Sequence, residues 1–246
     1  MFRYFASKDD IENNKINITG SDANHLKNIL RAEIEDKVAV VTSDSEYVAK
    51  IINISETGLL CEILETIENN NEAITSITIC QGLPKQAKME TVIQQNVELG
   101  VKRFIPLITR RCVVKLNEAS RINKKLDRWR KVSHESSKQS RRNIIPEVTE
   151  ILDLKKLILL AKEENAMILV PYEKDNKTSI KKALSDNVSD NIFIIIGPEG
   201  GFDVEEIDYL IDNGAKIVSL GKRILRTQTA GLVAATCVLH ERNDMV

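Results

Sequence analysis

Ile194-Ile195-Ile196-Gly197-Pro198-Glu199-Gly200-Gly201-Phe202 and Leu220-Gly221-Lys222-Arg223-Ile224-Leu225-Arg226-Thr227-Gln228-Thr229-Ala230 are the two stretches that decide the fold of this chain. Each sets a glycine turn directly after an apolar, β-type run. Helical spacing follows, over 204–213 in the first case and 229–239 in the second. In open α/β sheets, ligands bind in the crevice beyond the carboxyl ends of the strands. Two such turns in one domain therefore predict two walls of one small-molecule pocket.

Working outward, the run 192–196 is apolar without alternation, as a strand covered on both faces must be. Strands are also predicted over 77–82, 104–108, 167–170 and 217–220. Helices are predicted over 88–99, closed by Gly100 as a left-handed cap, and over the polar, basic stretch 120–140. Strands alternating with helices imply a parallel sheet with helices on its faces. The first 70 residues read differently. Two β-branched runs, 37–42 and 47–54, flank the polar turn Ser43-Asp44-Ser45-Glu46, a hairpin signal. A further strand is predicted near 59–64 and a helix over 21–30, capped by Ser21 or Asp22. The acidic, asparagine-rich stretch 65–72 reads as a linker. The expected organisation is a small β-rich domain over 1–70 and an α/β domain over 74–246.

Composition narrows the class. Of 246 residues, 42% are hydrophobic, enough for a packed core. No apolar run has bilayer-spanning length, and the first residues lack a signal-peptide pattern. Cys61, Cys80, Cys112 and Cys237 are scattered without a C-x-x-C pair, which disfavours a zinc site or a disulfide framework. These features predict a cytoplasmic protein without a membrane partner or a metal. The net charge of −1 conceals an asymmetry: residues 102–142 carry 14 Lys or Arg against 3 Asp or Glu. A block this one-sided predicts a polyanion-binding surface.

The Gly-Pro-Glu-Gly-Gly turn suits backbone recognition of a ligand, because glycine permits close approach and proline pre-sets one torsion. It is not a P-loop, since no Lys-Ser or Lys-Thr follows. It is not G-x-G-x-x-G either, so a nicotinamide-dependent oxidoreductase is disfavoured.

These two turns together resemble the SPOUT class of S-adenosylmethionine-dependent RNA methyltransferases. Further matches narrow the resemblance: His25-Leu26-x-x-Ile29-Leu30-Arg31, Glu98-Leu99-Gly100-Val101 with Ile105-Pro106 and Arg110-Arg111, then Arg128-Trp129 and Glu135-x-x-x-Gln139-Ser140-x-Arg142 with Pro146. Jointly they are similar to the bacterial 16S ribosomal RNA uridine-N3 methyltransferase family, which modifies the decoding region near the 3′ end. The resemblance implies a PUA-like RNA-binding β-barrel over 1–70. It further implies a SPOUT domain over 74–246 with a parallel sheet and a deep C-terminal trefoil knot, a rare exception to unknotted chains. It also implies a homodimer acting on 16S ribosomal RNA or the small ribosomal subunit.

Carried over residue by residue, the resemblance assigns the cofactor to Gly197, Pro198, Glu199 and Gly200 on one turn. Leu220, Gly221, Ile224, Leu225 and Thr229 belong to the other, and Pro171 follows a third strand. Arg226 is the expected catalytic group. Uridine N3 must lose a proton to attack a methyl group, and a fixed cation stabilises the anion that results. Where the family commonly has Thr-Glu-Thr, this chain has Thr227-Gln228-Thr229, so position 228 is read as hydrogen-bonding and not as a general base. Arg3, Arg31, Arg110, Arg111, Lys115, Arg128, Arg141 and Arg142 are expected at RNA phosphates, contacts that position without reading sequence. His25 is read as packing or touching RNA, His134 and His240 as surface groups, and Trp129 as packing. Two other readings stay open: a SPOUT enzyme acting on transfer RNA or on ribose 2′-O, and a non-catalytic RNA-binding assembly factor.

Overall fold

The computed structural model describes residues 2–42, 45–68, 71–113, 119–174, 178–185 and 189–245. The chain forms two compact units, Met1–Glu72 with Arg141–Ile144, and Ala73–Ser140 with Ile145–Val246.

Among the described residues, the first unit is built on six strands: β1 (Arg3–Phe5), β2 (Ile11–Glu12), β3 (Lys15–Thr19), β4 (Lys37–Val41), β5 (Glu46–Ile54) and β6 (Gly58–Ile67). Their order is β1-β4-β5-β6-β3-β2, antiparallel except for β1 beside β4. A helical segment follows β3, first α1 (Gly20–Asn24) and then a wider turn over His25–Ile29. Alternation explains the packing of β3, which buries Ile16 and Ile18 and exposes Lys15, Asn17 and Thr19. The expected hairpin is present as the β4–β5 pairing, although Ser43 and Asp44 themselves lie outside the described residues. The stretch read as a linker is corrected in part. Glu65, Thr66 and Ile67 continue β6 opposite Val48, Tyr47 and Glu46, where the β-branched Thr66 and Ile67 suit a strand and only the acidic, asparagine-rich residues beyond read as linker.

The second unit holds, among its described residues, seven parallel strands: β7 (Ser76–Gly82), β8 (Arg103–Ile108), β9 (Glu147–Val148), β10 (Leu152–Asp153), β11 (Met167–Pro171), β12 (Asn191–Ile196) and β13 (Lys216–Val218). The order is β10-β8-β7-β12-β11-β13, with β9 also paired to β8. Six helices accompany it: α2 (Lys88–Leu99), α3 (Ala119–Gln139), α4 (Leu154–Glu163), α5 (Ile180–Ser185), α6 (Val204–Asp212) and α7 (Thr227–Glu241).

Strand β12 lies at the centre and shows why its sequence lacks alternation. Ile192, Ile194 and Ile196 join one core with α2, α3, α5 and α7. Phe193 and Ile195 join a second core with α4 and α6 on the opposite face. Trp129 packs in the first core, as its helical position predicted. Helix α2 ends as expected on Gly100 at φ 109°. The fold is thus an α/β sheet covered on both faces, preceded by the β-rich unit.

Candidate functional site

The two glycine turns meet. β12 ends at Ile196 and delivers Gly197 to the carboxyl edge of the sheet, beside the start of α7. The Thr227 hydroxyl donates to the Gly197 carbonyl at 2.6 Å. Gln81, buried at the end of β7, donates through Nε2 to the Thr227 hydroxyl at 2.8 Å and to the Gly82 carbonyl at 2.9 Å. Three segments far apart in sequence are therefore tied by one buried polar cluster. Such groups are costly to leave unpaired, so the cluster fixes the relative position of the turns.

The Pro198–Gly201 turn closes on a hydrogen bond from the Gly201 amide to the Pro198 carbonyl at 2.9 Å, with Gly201 at φ 65°. Glu199 accepts from the Lys85 amide at 3.1 Å and from Lys88 Nζ at 2.8 Å. Burial would raise its pKa, but the bonds from Lys88 and the backbone prevail and hold the carboxyl below its ordinary value. Arg111 donates to the Gly200 carbonyl at 3.1 Å and reaches Asp203 at 3.4 Å. Asp203 caps α6 in a reciprocal box with Glu206.

Between the turns lies a cleft of about 440 Å³. Its walls include Gly197, Pro198, Glu199 and Gly200 from one turn, Ile224, Leu225 and Arg226 from the other, and Pro171 from the end of β11. The structure thus brings together most of the residues expected there. Leu220, Gly221 and Thr229 do not line it. Gly221, at φ 106°, turns the chain toward the cleft, and the Thr229 amide bonds the Arg226 carbonyl at 2.8 Å in the first turn of α7. Arg226 stands at the N-terminus of α7, exposed, and its guanidinium has no ion pair among the described residues.

Several residues of the site were not singled out from sequence. Gln81 and Thr227 tie the turns, while Lys88, Glu173 and Phe202 line the cleft. Gly82 is required by contact: a Cβ there would lie 2.7 Å from the Pro198 nitrogen. Gln228 also lines the cleft, and its buried Oε1 has no hydrogen-bond partner among the described residues.

The cations expected at RNA divide. Arg142 is corrected: it is 3% exposed and lies 2.6 Å from the Glu72 carboxylate, so it serves the interior of the first unit. Arg3 is likewise corrected. Its buried guanidinium bonds Glu46 at 3.0 Å, the Arg142 carbonyl at 2.7 Å and Asn143 at 2.9 Å. Arg110 pairs with Glu205 and Asp203, and Arg128 with Glu90. Arg31 and Arg141 are exposed and adopt positive φ. Lys115 lies outside the described residues. His25 meets the Tyr4 hydroxyl at 3.4 Å in the first unit, and His134 sits 3.4 Å from Glu135.

Comparison with known proteins gives two domain matches, an RNA methyltransferase domain over residues 70–239 and an RNA methyltransferase PUA domain over 18–64. The chain is 32% identical to ribosomal RNA small subunit methyltransferase E of Bacillus subtilis, over 98% of this chain and 97% of that one. It is also 32% identical to the enzyme of the same name from Mesomycoplasma hyopneumoniae, over 96% and 98%. Among solved structures it resembles the Neisseria gonorrhoeae ribosomal RNA small subunit methyltransferase E bound to S-adenosylmethionine, with 27% identity, TM-score 0.84 and coverage of 98% and 97%. A Legionella pneumophila methyltransferase with bound S-adenosylmethionine superposes with TM-score 0.83 at 29% identity, covering 97% of each chain.

Proposed function

The chain belongs to the RNA methyltransferase family that contains ribosomal RNA small subunit methyltransferase E, and from that premise we propose that it methylates N3 of a uridine in 16S ribosomal RNA. The target on this reading lies in the decoding region near the 3′ end. The observation that carries the proposal is the cleft between the turns at Gly197 and Arg226, held closed by the Thr227–Gly197 bond.

The cleft suits S-adenosylmethionine. The 197–201 turn is a cradle: a Cβ on Gly197 would sit 3.2 Å from Gly201, and one on Gly200 would sit 3.1 Å from the Arg111 side chain. Side chains there would collide with the turn itself and with Arg111, so the glycines keep the shape of the cleft wall. Pro171 and Leu225 provide apolar surface, and Gln228 adds a polar side chain to the same wall. An apolar cleft with a few placed polar groups is the usual form of a cofactor site. Gly197, Pro198, Glu199, Gly200, Leu225 and Pro171 hold the cofactor on this reading.

S-adenosylmethionine supplies an electrophilic methyl group. The rest falls to the chain. The rigid turns orient the reactants, a contribution worth several kcal/mol. Arg226, an exposed cation at the mouth of the cleft, stabilises the uridine anion that forms as N3 loses its proton. The carboxamide of Gln228 does not take up that proton at neutral pH, so the proton passes to solvent. The homodimer is part of the same proposal. α7 is apolar around its circumference, and Leu232 and Val233 are only half-buried in a single chain. The trefoil knot and the domain limits 1–70 and 74–246 belong to it as well.

The test is modification mapping. Small ribosomal subunits from a strain lacking this gene are incubated with the protein and labelled S-adenosylmethionine, and nucleosides are resolved by mass spectrometry. N3-methyluridine supports the proposal, and label on ribose, on another base or on transfer RNA alone contradicts it.

A further inference from the structure

The loop between Gly221 and Thr227 carries more than the cofactor. Lys222, Arg223 and Arg226 are all exposed, and none has an ion pair among the described residues. The other arginines expected at RNA from the second unit, Arg110, Arg111 and Arg128, each already hold a carboxylate. An exposed cation with a carboxylate partner must give it up to bind phosphate, whereas an unpaired one releases only counterions. Three exposed cations without an ion pair among the described residues therefore stand together on one lip of the cleft.

In the middle of that lip stands Ile224. It lines the cleft, yet its side chain is 83% exposed. Single exposed aliphatic residues are common, but this one sits at the mouth of a reaction site and between cations. A base modified on its pairing edge must be unpaired and turned out to reach the reagent. Proteins hold such a base against aromatic or apolar side chains. The aromatic residue of the cleft, Phe202, is 3% exposed and packs in the core beneath, so its face is not available to a base. Ile224 is.

We propose that the Lys222–Arg223–Ile224 loop is a single-stranded RNA-binding lip, with Ile224 against the face of the target base and Lys222 and Arg223 on the flanking phosphates. The inference rests on the RNA methyltransferase reading of the adjacent cleft. It reassigns the Ile224 side chain from cofactor to substrate and adds two cations not expected from the sequence.

The full-length protein is tested as the double variant Lys222→Ala/Arg223→Ala and, separately, as Ile224→Ser. Two readouts are taken on each: the salt dependence of binding to unmodified small subunits and the calorimetric affinity for S-adenosylhomocysteine. Each phosphate contact contributes a slope of about 0.7–0.9 in log affinity against log salt. The double variant is therefore expected to lose a slope of roughly 1.4–1.8. Ile224→Ser should weaken subunit binding about tenfold with the slope unchanged, the effect of removing one buried aliphatic contact. S-adenosylhomocysteine affinity stays within about twofold of wild type in both, because the cations and the Ile224 side chain face RNA. An unchanged slope in the double variant overturns the phosphate contacts. Loss of S-adenosylhomocysteine binding in Ile224→Ser, with subunit binding intact, overturns the base contact and returns Ile224 to the cofactor wall. If the wild type transfers no methyl group to any subunit, the functional reading fails, and the slope difference still decides whether the lip binds RNA.

Discussion

Substituting Gly82 by alanine perturbs the cofactor turn through one atom. Gly82 ends β7, is buried, and has no positive φ, so backbone strain does not enter. The added Cβ would lie 2.7 Å from both the nitrogen and Cδ of Pro198 and 3.1 Å from the Gly197 carbonyl carbon. These are backbone and ring atoms without a rotamer to change, so a segment must move. β7 is held by ladders to β8 and β12 on its two sides, with Gly82 opposite Leu107 and Gln81 opposite Ile196. The turn at 197–201 yields instead. Overpacking of this kind costs about 1–3 kcal/mol. If about 2 kcal/mol falls on the bound geometry of the turn, cofactor binding weakens about thirtyfold, at 1.4 kcal/mol per factor of ten. The folded state loses a similar amount, a fall in Tm of roughly 4–8 °C for a chain of this size. The assay is steady-state methyl transfer at varied S-adenosylmethionine, with thermal unfolding measured on the same preparation. A Tm shift in that range with an unchanged KM for S-adenosylmethionine would refute the argument, because the strain would then be absorbed away from the cleft.

Thr227→Val removes the hydroxyl that joins Gly197 to Gln81 and leaves the Gly197 carbonyl with a weak 3.4 Å contact from Gln81; unfolding in urea should show a loss of about 1–3 kcal/mol, and cofactor KM should rise. Arg226→Ala should lower kcat about 10²–10³-fold with little change in cofactor KM, the signature of a transition-state charge contact; a change confined to KM would assign Arg226 to binding. Glu72→Gln removes the carboxylate that lies 2.6 Å from the buried Arg142 guanidinium and should cost about 3–5 kcal/mol. Burial would raise the Glu72 pKa, but Arg142 and the amides of Asn143 and Ile144 prevail and lower it. Its contribution is therefore present above the ordinary carboxylate range and is lost as pH falls through the lowered value. In acid titration of unfolding, the wild type should lose stability below about pH 4 and the variant should not show that component.

The parallel sheet and the helices α2, α3, α6 and α7 were legible because their patterns are long and local. Ile192–Ile196 has no alternation since both of its faces are covered, and that rule holds within one strand. Strand β1 and helix α5 were missed for the opposite reason, being short. Helix α4 was missed although Leu154, Leu157, Ile158 and Ala161 form a clear apolar stripe and Asp153 caps it, a signal the sequence does contain. The cleft was legible through its two glycine turns. Gly82, Gln81 and Thr227 were not, since their roles arise from contacts between residues more than a hundred positions apart. Arg3 and Arg142 misled because residue type marks a cation, whereas its partner is set by tertiary packing. Glu72 and Glu46 stand far off in sequence and close in space.

The central claim is that the two glycine turns form a cofactor cleft. Calorimetric titration of the wild type and of Gly197→Val with S-adenosylhomocysteine tests it most directly. A valine at 197 places its side chain against Gly201 and Phe202, where a Cβ alone already lies within 3.3 Å. The account predicts saturable binding of one S-adenosylhomocysteine per wild-type chain and its loss in a Gly197→Val protein that still unfolds cooperatively. Equal binding by both proteins would place the cofactor elsewhere, and absence of binding by the wild type would contradict the claim outright.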